Sequence, residues 1–324
     1  MSHSNSSLNC FADCMKMYEH RYILKTPSCK PESLDLKFGT MAHEVLYKAG
    51  LAKDIGEHDL DFIPDEIMYP DLKCHFNINS WNNYFTAVIN EVSKIEDKLA
   101  LECINDYAPT EIHRELKLEL TAKEFEEITG CKNISQPFVG IIDLLIVTKD
   151  KAIIIDYKFS SNRKTQDDFD MNSQLPLYAA MVHYKFDIPL HNIKYGYIDI
   201  PKTSLDAPTI LSNGLLSRSK SQNVSQELYA KAVKAIHGDD PFYNCEPGGY
   251  YYDAWCNMVF NKPAYLSIQY LDESVYGGVL NDLGEAAQMI DFMIKNKMPF
   301  CKKYNSHNCK KCDYVKSCKP WTEV

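Results

Sequence analysis

The stretch GIIDLLIVTKDKAIIIDYKFSSN, residues 140–162, decides how this chain folds. Two apolar runs, 140–147 and 152–159, flank the polar turn Thr148-Lys149-Asp150-Lys151 and predict an antiparallel hairpin. A turn symmetric about Lys149 and Asp150 pairs Val147 with Ala152 and, further out, Asp143 with Asp156, so the two carboxylates face each other across the ladder. Lys158 lies on the same face, roughly 7 Å along the strand from Asp156. Burying two carboxylates and an ammonium in an apolar hairpin is costly, so they are expected to serve pairing or chemistry. An Asp–Lys ion pair at a sheet edge is the plain alternative. The second aspartate favours a bound divalent cation, because like charges placed opposite destabilise a sheet and hard cations take carboxylate oxygens.

With 324 residues and 45% hydrophobic content, the chain can bury a large core, as one big domain or a domain with an appended lobe. The N-terminal MSHSNSSLNC lacks the apolar run of a signal peptide. No segment approaches ~18 uninterrupted apolar residues, so no membrane helix is expected and a soluble, cytoplasmic protein is. A net charge of −9 argues against indiscriminate nucleic-acid binding over the whole surface. Local basic clusters remain: Lys158 with Arg163 and Lys164, Arg218 with Lys220, and lysines 302, 303, 310, 311, 316 and 319 against the single acid Asp313.

Twelve cysteines are many for such a chain. Most have no defensible ligand spacing and read as core residues. Cys309-Lys-Lys-Cys312-Asp-Tyr-Val-Lys-Ser-Cys318 is different: C-x2-C-x5-C argues for a metal or cluster site. Its fourth ligand could be Cys301, His307, Cys10 or Cys14.

Helices are expected over 8–24, over 36–49 with His43 one turn beyond Gly39, and over 81–107. Residues 111–120, EIHRELKLEL, alternate as a half-exposed strand containing Glu115. A helix over 172–186 puts Gln174 and Tyr178 on one face. A strand over 193–200 follows, with an amphipathic helix over 281–296 near the end. This order predicts an α/β core with a mixed central sheet flanked by helices.

The set Gly39-x-x-x-His43, Glu115, Gly140-x-x-Asp143, Asp156-x-Lys158 and Gln174-x-x-x-Tyr178 resembles the RecB-like branch of the PD-(D/E)XK nuclease superfamily. With the cysteine frame added, the chain is similar to the subset that carries an iron–sulfur cluster, as in CRISPR-associated RecB-like exonucleases and phage-borne relatives. The resemblance implies a restriction-endonuclease-like core over about 31–200, with 201–298 as a helical and β extension of a single domain spanning 1–324. It implies that His43, Asp143, Asp156 and the Tyr157 carbonyl hold Mg²⁺ or Mn²⁺. Glu115, or Glu119 in its place, adds an outer contact. Lys158 orients the attacking water, while Gln174 and Tyr178 fix the lysine and strand ends or touch DNA.

It further implies that Cys14, Cys309, Cys312 and Cys318 join segments 1–30 and 299–324 through a 4Fe-4S cluster, with zinc as the alternative. The family has proline after its first cysteine where this chain has Met15, so Cys10 stays open beside Cys14. The implied activity is a metal-dependent DNA exonuclease on single strands from a free end. The alternatives are an endonuclease or flap-type nuclease and a catalytically silent nucleic-acid-binding scaffold. Partners would be DNA and recombination or CRISPR-related proteins, in a bacterial cytoplasm or that of a phage host. Tyr18, Tyr22, Tyr157 and Tyr178 are candidate base-stacking faces.

Overall fold

This computed structural model describes residues 2–57, 76, 78, 80–103, 111–160, 165–258, 261–270, 273–303 and 306–318. Arg163, Lys164, Lys319, the 104–107 end of the expected helix and the side chain of His307 lie outside the described residues.

The hairpin forms, with the expected register at its turn end. β2 (Phe138–Val147) pairs antiparallel with β3 (Ala152–Ser160), Val147 opposite Ala152 and Leu144 opposite Ile155. Thr148 closes the turn: its N–H donates to the Lys151 carbonyl at 2.9 Å, and its Oγ1 accepts from the Lys151 N–H at 3.2 Å. β1 (Glu111–Leu120) lies antiparallel on the outer side of β2. β4 (Ile193–Pro201) runs parallel to β3, and β5 (Tyr265–Tyr270) returns antiparallel beside β4. The sheet is therefore mixed, ordered β1-β2-β3-β4-β5. Its one parallel junction demands a crossover, which the helix Gln174–Phe186 supplies. Pro176 is tolerated there because N–H groups of a first helical turn have no intrahelical acceptor.

The unbroken Ala152–Ile155 run reflects a sheet covered on both faces. Ala152 and Ile154 join a core built with Leu145, Leu177, Met181 and the helix Glu273–Lys295. Ile153, Ile155 and Leu144 join a second core with Phe38, Val45, Trp81, Phe85 and Val88. The second core's helices are α3 (Leu34–Asp54), started by Ser33 accepting from the Leu36 N–H, and α4 (Trp81–Cys103). A third, aromatic cluster around Tyr229 and Tyr251 belongs to the 201–262 segment.

The N-terminal stretch departs from one continuous helix. α1 (Asn5–Asp13) ends at Cys14, which is extended (φ −163°), and α2 (Met15–Tyr18) runs into a wider turn over Glu19–Ile23. The break lets this segment bond to the chain's other end: Lys16 N–H to the Cys301 carbonyl at 3.1 Å, Cys29 N–H to the Asp313 carbonyl at 2.8 Å, and Arg21 to Asp313 at 2.9 Å. Ahead of α1, His3 bridges Phe138, and its ring meets the buried carboxylate of Asp291 at 3.2 Å. The helix α5 (Ala122–Thr129) starts at Thr121, which forms a reciprocal capping box with Glu124. The crossover helix Gln174–Phe186 is α7 below, after the short α6 (Gln166–Asp170).

Candidate metal centre and cysteine cavity

Side chains two apart on a strand normally share a face. In β1 and β2 that rule fails at one step. His113 packs against Phe186 of α7 and Arg114 reaches Asp54 and Glu96 on the α3–α4 face, yet Leu116 and Leu118 pack into the α7-side core. On β2, Ile142 belongs to the α7-side core and Leu144 to the other. The β1–β2 register runs through Arg114↔Leu144 and Leu116↔Ile142 but skips the pair between them, Glu115 and Asp143. Glu115 takes φ +48° to make the inversion. A left-handed non-glycine residue costs on the order of 1–3 kcal/mol and clusters at functional sites.

The inversion releases two carboxylates from the sheet beside His43 of α3. His43 Nδ1 lies 3.6 Å from Asp143 Oδ2 and 3.9 Å from Glu115 Oε1, and one donor atom from each of the three falls within 4.8 Å of the others. Burial, reinforced by the charge of Asp156, raises the Asp143 pKa well above the usual carboxylate range, against the pull of the Tyr157 N–H. Burial and Asp156 also raise Glu115. Burial lowers His43. A neutral imidazole beside two carboxylates that resist ionisation is a donor set that suits a hard divalent cation, whose charge would reverse the carboxylate shifts.

Asp143 and Asp156 do not face each other directly, contrary to the hairpin expectation. The ladder stops at Leu144↔Ile155, and Asp143 Oδ2 instead accepts the Tyr157 N–H at 2.7 Å. Mutual repulsion of two opposed carboxylates disfavours the direct pair, and a strand N–H offers one of them a better partner. Asp156, 3% exposed, is instead grouped with residues of α7. Its Oδ1 accepts from Gln174 Nε2 at 2.9 Å, and its Oδ2 pairs with Lys158 Nζ at 2.5 Å. Gln174 Oε1 lies 3.5 Å from the same ammonium, and Gln174 Nε2 also donates to the Tyr178 hydroxyl at 2.9 Å. Gly140 makes room for that tyrosine, since a Cβ there would come within 2.5 Å of its ring.

Glu119 is exposed on β1 and stands apart from this cluster, leaving Glu115 as the strand's contribution. The base-stacking expectation fails for Tyr18, Tyr157 and Tyr178, all buried. Tyr18 packs among Phe11, Tyr22 and Phe300, and the phenols of Tyr157 and Tyr178 are engaged by Glu96 and Gln174. Tyr22 is half-buried against the same cluster.

Cys14, Cys309, Cys312 and Cys318 line one small cavity together with Met17, His20 and Tyr314. Cys10 instead packs in the α7-side core, where burial pushes its thiol up to about 11. Sequence reasoning missed Arg114, Glu96 and Asp54. Glu96 carried a signal: it interrupts the apolar stripe Val88, Val92, Leu99, Cys103 of α4 with a charge.

The family model of the PD-(D/E)XK nuclease superfamily matches residues 2–319. No curated protein matches the chain. Among solved structures, the crystal structure of a "Putative exonuclease" from Eubacterium rectale is similar at 8% identity, covering 100% of this chain and 90% of that one, with a TM-score of 0.49.

Proposed function

This chain belongs to the PD-(D/E)XK nuclease superfamily, and on that premise we propose that it is a metal-dependent DNA exonuclease acting on single strands from a free end. The observation that carries the metal-dependent reading is the convergence of His43, Glu115 and Asp143 next to the Asp156–Lys158–Gln174 group. His43, Glu115 and Asp143 would hold Mg²⁺ or Mn²⁺, with Asp156 and the Tyr157 carbonyl adjoining. Such an ion, when bound, supplies Lewis acidity to a phosphoryl oxygen and lowers the pKa of water.

The chain's own groups do the rest. Lys158 presents an ammonium where negative charge grows on the phosphate, and preorganised charge of this kind is a major source of rate. Gln174 fixes that ammonium, holding Asp156 with its amide N–H and facing Lys158 with its oxygen. Tyr178 in turn receives the second Gln174 N–H and braces the amide. The preference for single strands rests on charge: at −9 the surface offers a duplex little continuous positive area, whereas small lysine clusters suit one backbone.

We further propose that Cys14, Cys309, Cys312 and Cys318 ligate a 4Fe-4S cluster that clasps the two chain ends. The common cavity supports this. Protein purified without air should be brown, and Cys312→Ser should lose the colour; stoichiometric zinc without iron would overturn the cluster.

The deciding assay uses that anaerobic protein with Mg²⁺ or Mn²⁺ on linear and covalently closed single-stranded DNA. Loss of linear strands with circles intact is the expected result. Equal rates on both would establish an endonuclease. Binding without cleavage of either would make the chain a scaffold.

A further inference from the structure

Behind the metal centre, on the α3–α4 face, lies an ionic network that the catalytic motifs do not include. Arg114 is buried and engages two carboxylates at once. Its Nε and one terminal nitrogen bond Asp54 of α3 at 3.0 and 3.2 Å, and its two terminal nitrogens bond Glu96 of α4 at 3.0 and 2.9 Å. Both Arg114 and Glu96 are almost fully enclosed, with side chains 3% and 6% exposed. Glu96 Oε1 also accepts the Tyr157 hydroxyl at 2.7 Å.

Buried charges of this kind are poor stabilisers compared with apolar packing, so their presence calls for a reason. The reason is visible in what the network holds. Arg114 is clamped to the α3–α4 face, and Leu116 is anchored in the core on the opposite face. Residue 115 between them must therefore invert the strand, and it does so at φ +48°, turning Glu115 toward His43. The other arm runs from Glu96 to the Tyr157 phenol, and the Tyr157 N–H anchors Asp143. A third arm, Arg114 to Asp54, ties down the end of the helix that carries His43. Gly50 on α3 is part of the arrangement, since a Cβ there would sit 2.4 Å from the Arg114 guanidinium.

We infer that Arg114 and Glu96 are positioning residues that preorganise Glu115, Asp143 and His43 for a divalent cation. The inference rests on the metal-centre reading above and names what makes that centre rigid. Carboxylates and arginines behind a ligand set commonly control metal affinity in this way.

The test is calorimetric titration of Mn²⁺ into the full chain, paired with thermal melts and with nuclease rate against Mn²⁺ concentration. Tyr157→Phe removes one hydroxyl, and Gly50→Ala displaces the guanidinium while keeping every polar group. Each variant should weaken Mn²⁺ binding by about tenfold or more, with the nuclease rate recovering as Mn²⁺ is raised. Arg114→Lys, which cannot grip two carboxylates with one fork, should do the same or worse. Folded variants that bind Mn²⁺ within about twofold of wild type, with only a lower melting temperature, would reduce the network to a structural clamp and overturn the proposal. Wild-type Mn²⁺ affinity in Asp143→Asn is a separate signal: it removes the metal centre itself, and the positioning role with it.

Discussion

The two ends of one hairpin behave differently. At the turn end, Leu144–Val147 and Ala152–Ile155 form an uninterrupted ladder whose side chains alternate between two apolar cores. One residue further out, at Asp143, the ladder stops, β1 and β2 invert together, and three charged or polar ligand groups converge. The sequence is no less apolar around Asp143, with Ile141, Ile142 and Leu144 beside it. What differs is the neighbour across the strand. Apolar pairs reward regular pairing, whereas opposed carboxylates are driven off register toward N–H groups, an imidazole and a cation. The regular end supplies stability, and the irregular end spends some of it on geometry.

The largest effect should come from the irregular end. Asp143→Asn and Lys158→Met are expected to lower cleavage by about 10³-fold or more while the protein still melts cooperatively, because the first weakens the hold on the metal ion and the second removes positive charge aimed at the reacting phosphate. Metal-dependent cleavage at the wild-type rate in either variant would dissolve the distinction between the two ends. The converse change, Ile154→Ala at the regular end, should cost about 2–5 kcal/mol of stability and leave Mn²⁺ affinity of the folded protein unaltered. Denaturant unfolding and metal titration on the same sample would show whether the two properties separate.

A smaller effect is expected in the pH dependence of stability, and its sign should differ between sites. Burial and Asp156 raise the Asp143 pKa in the folded state, so its contribution is fully present below the unfolded carboxylate pKa and is lost as pH rises through the raised value. Without added metal, Asp143→Asn should therefore flatten a decline of stability with rising pH. At Asp291, burial pushes the pKa up, but the hydrogen bonds from His3 and Ser135 prevail and leave it lowered. Its contribution is present above the unfolded pKa and is lost as pH falls through the lowered one, so Asp291→Asn should soften acid unfolding. Melting curves from acid to neutral pH would show the two variants bending in opposite directions.

Much of the site was readable in order along the chain. His43, Asp156, Lys158, Gln174 and Tyr178 sit on the expected helices and strand, and Gln174 and Tyr178 share a helix face as their spacing requires. The β1–β2 inversion was not readable. EIHRELKLEL alternates well enough to pass for a regular strand, and nothing local marks Glu115 as left-handed. The stacking tyrosines misled for a related reason: an aromatic ring with a polar tip suits both a nucleic-acid surface and a core with a buried acceptor, and only the neighbouring Glu96 and Gln174 decide between them.

The sequence by itself determined the hairpin and the register of its turn end, the mixed sheet, and the identity of the groups that carry charge into it. Those follow from apolar periodicity and turn chemistry, which act over a few residues. Only the tertiary structure decided that Asp143 turns from Asp156 to the Tyr157 N–H, that Arg114 and Glu96 meet behind the candidate metal centre, and that Cys14 lines a cavity with Cys309, Cys312 and Cys318 while Cys10 packs in the α7-side core. Each is a contact between polar groups on different elements. Its free energy depends on burial and on which partner lies within hydrogen-bond reach, and neither quantity exists until the helices have packed on the sheet.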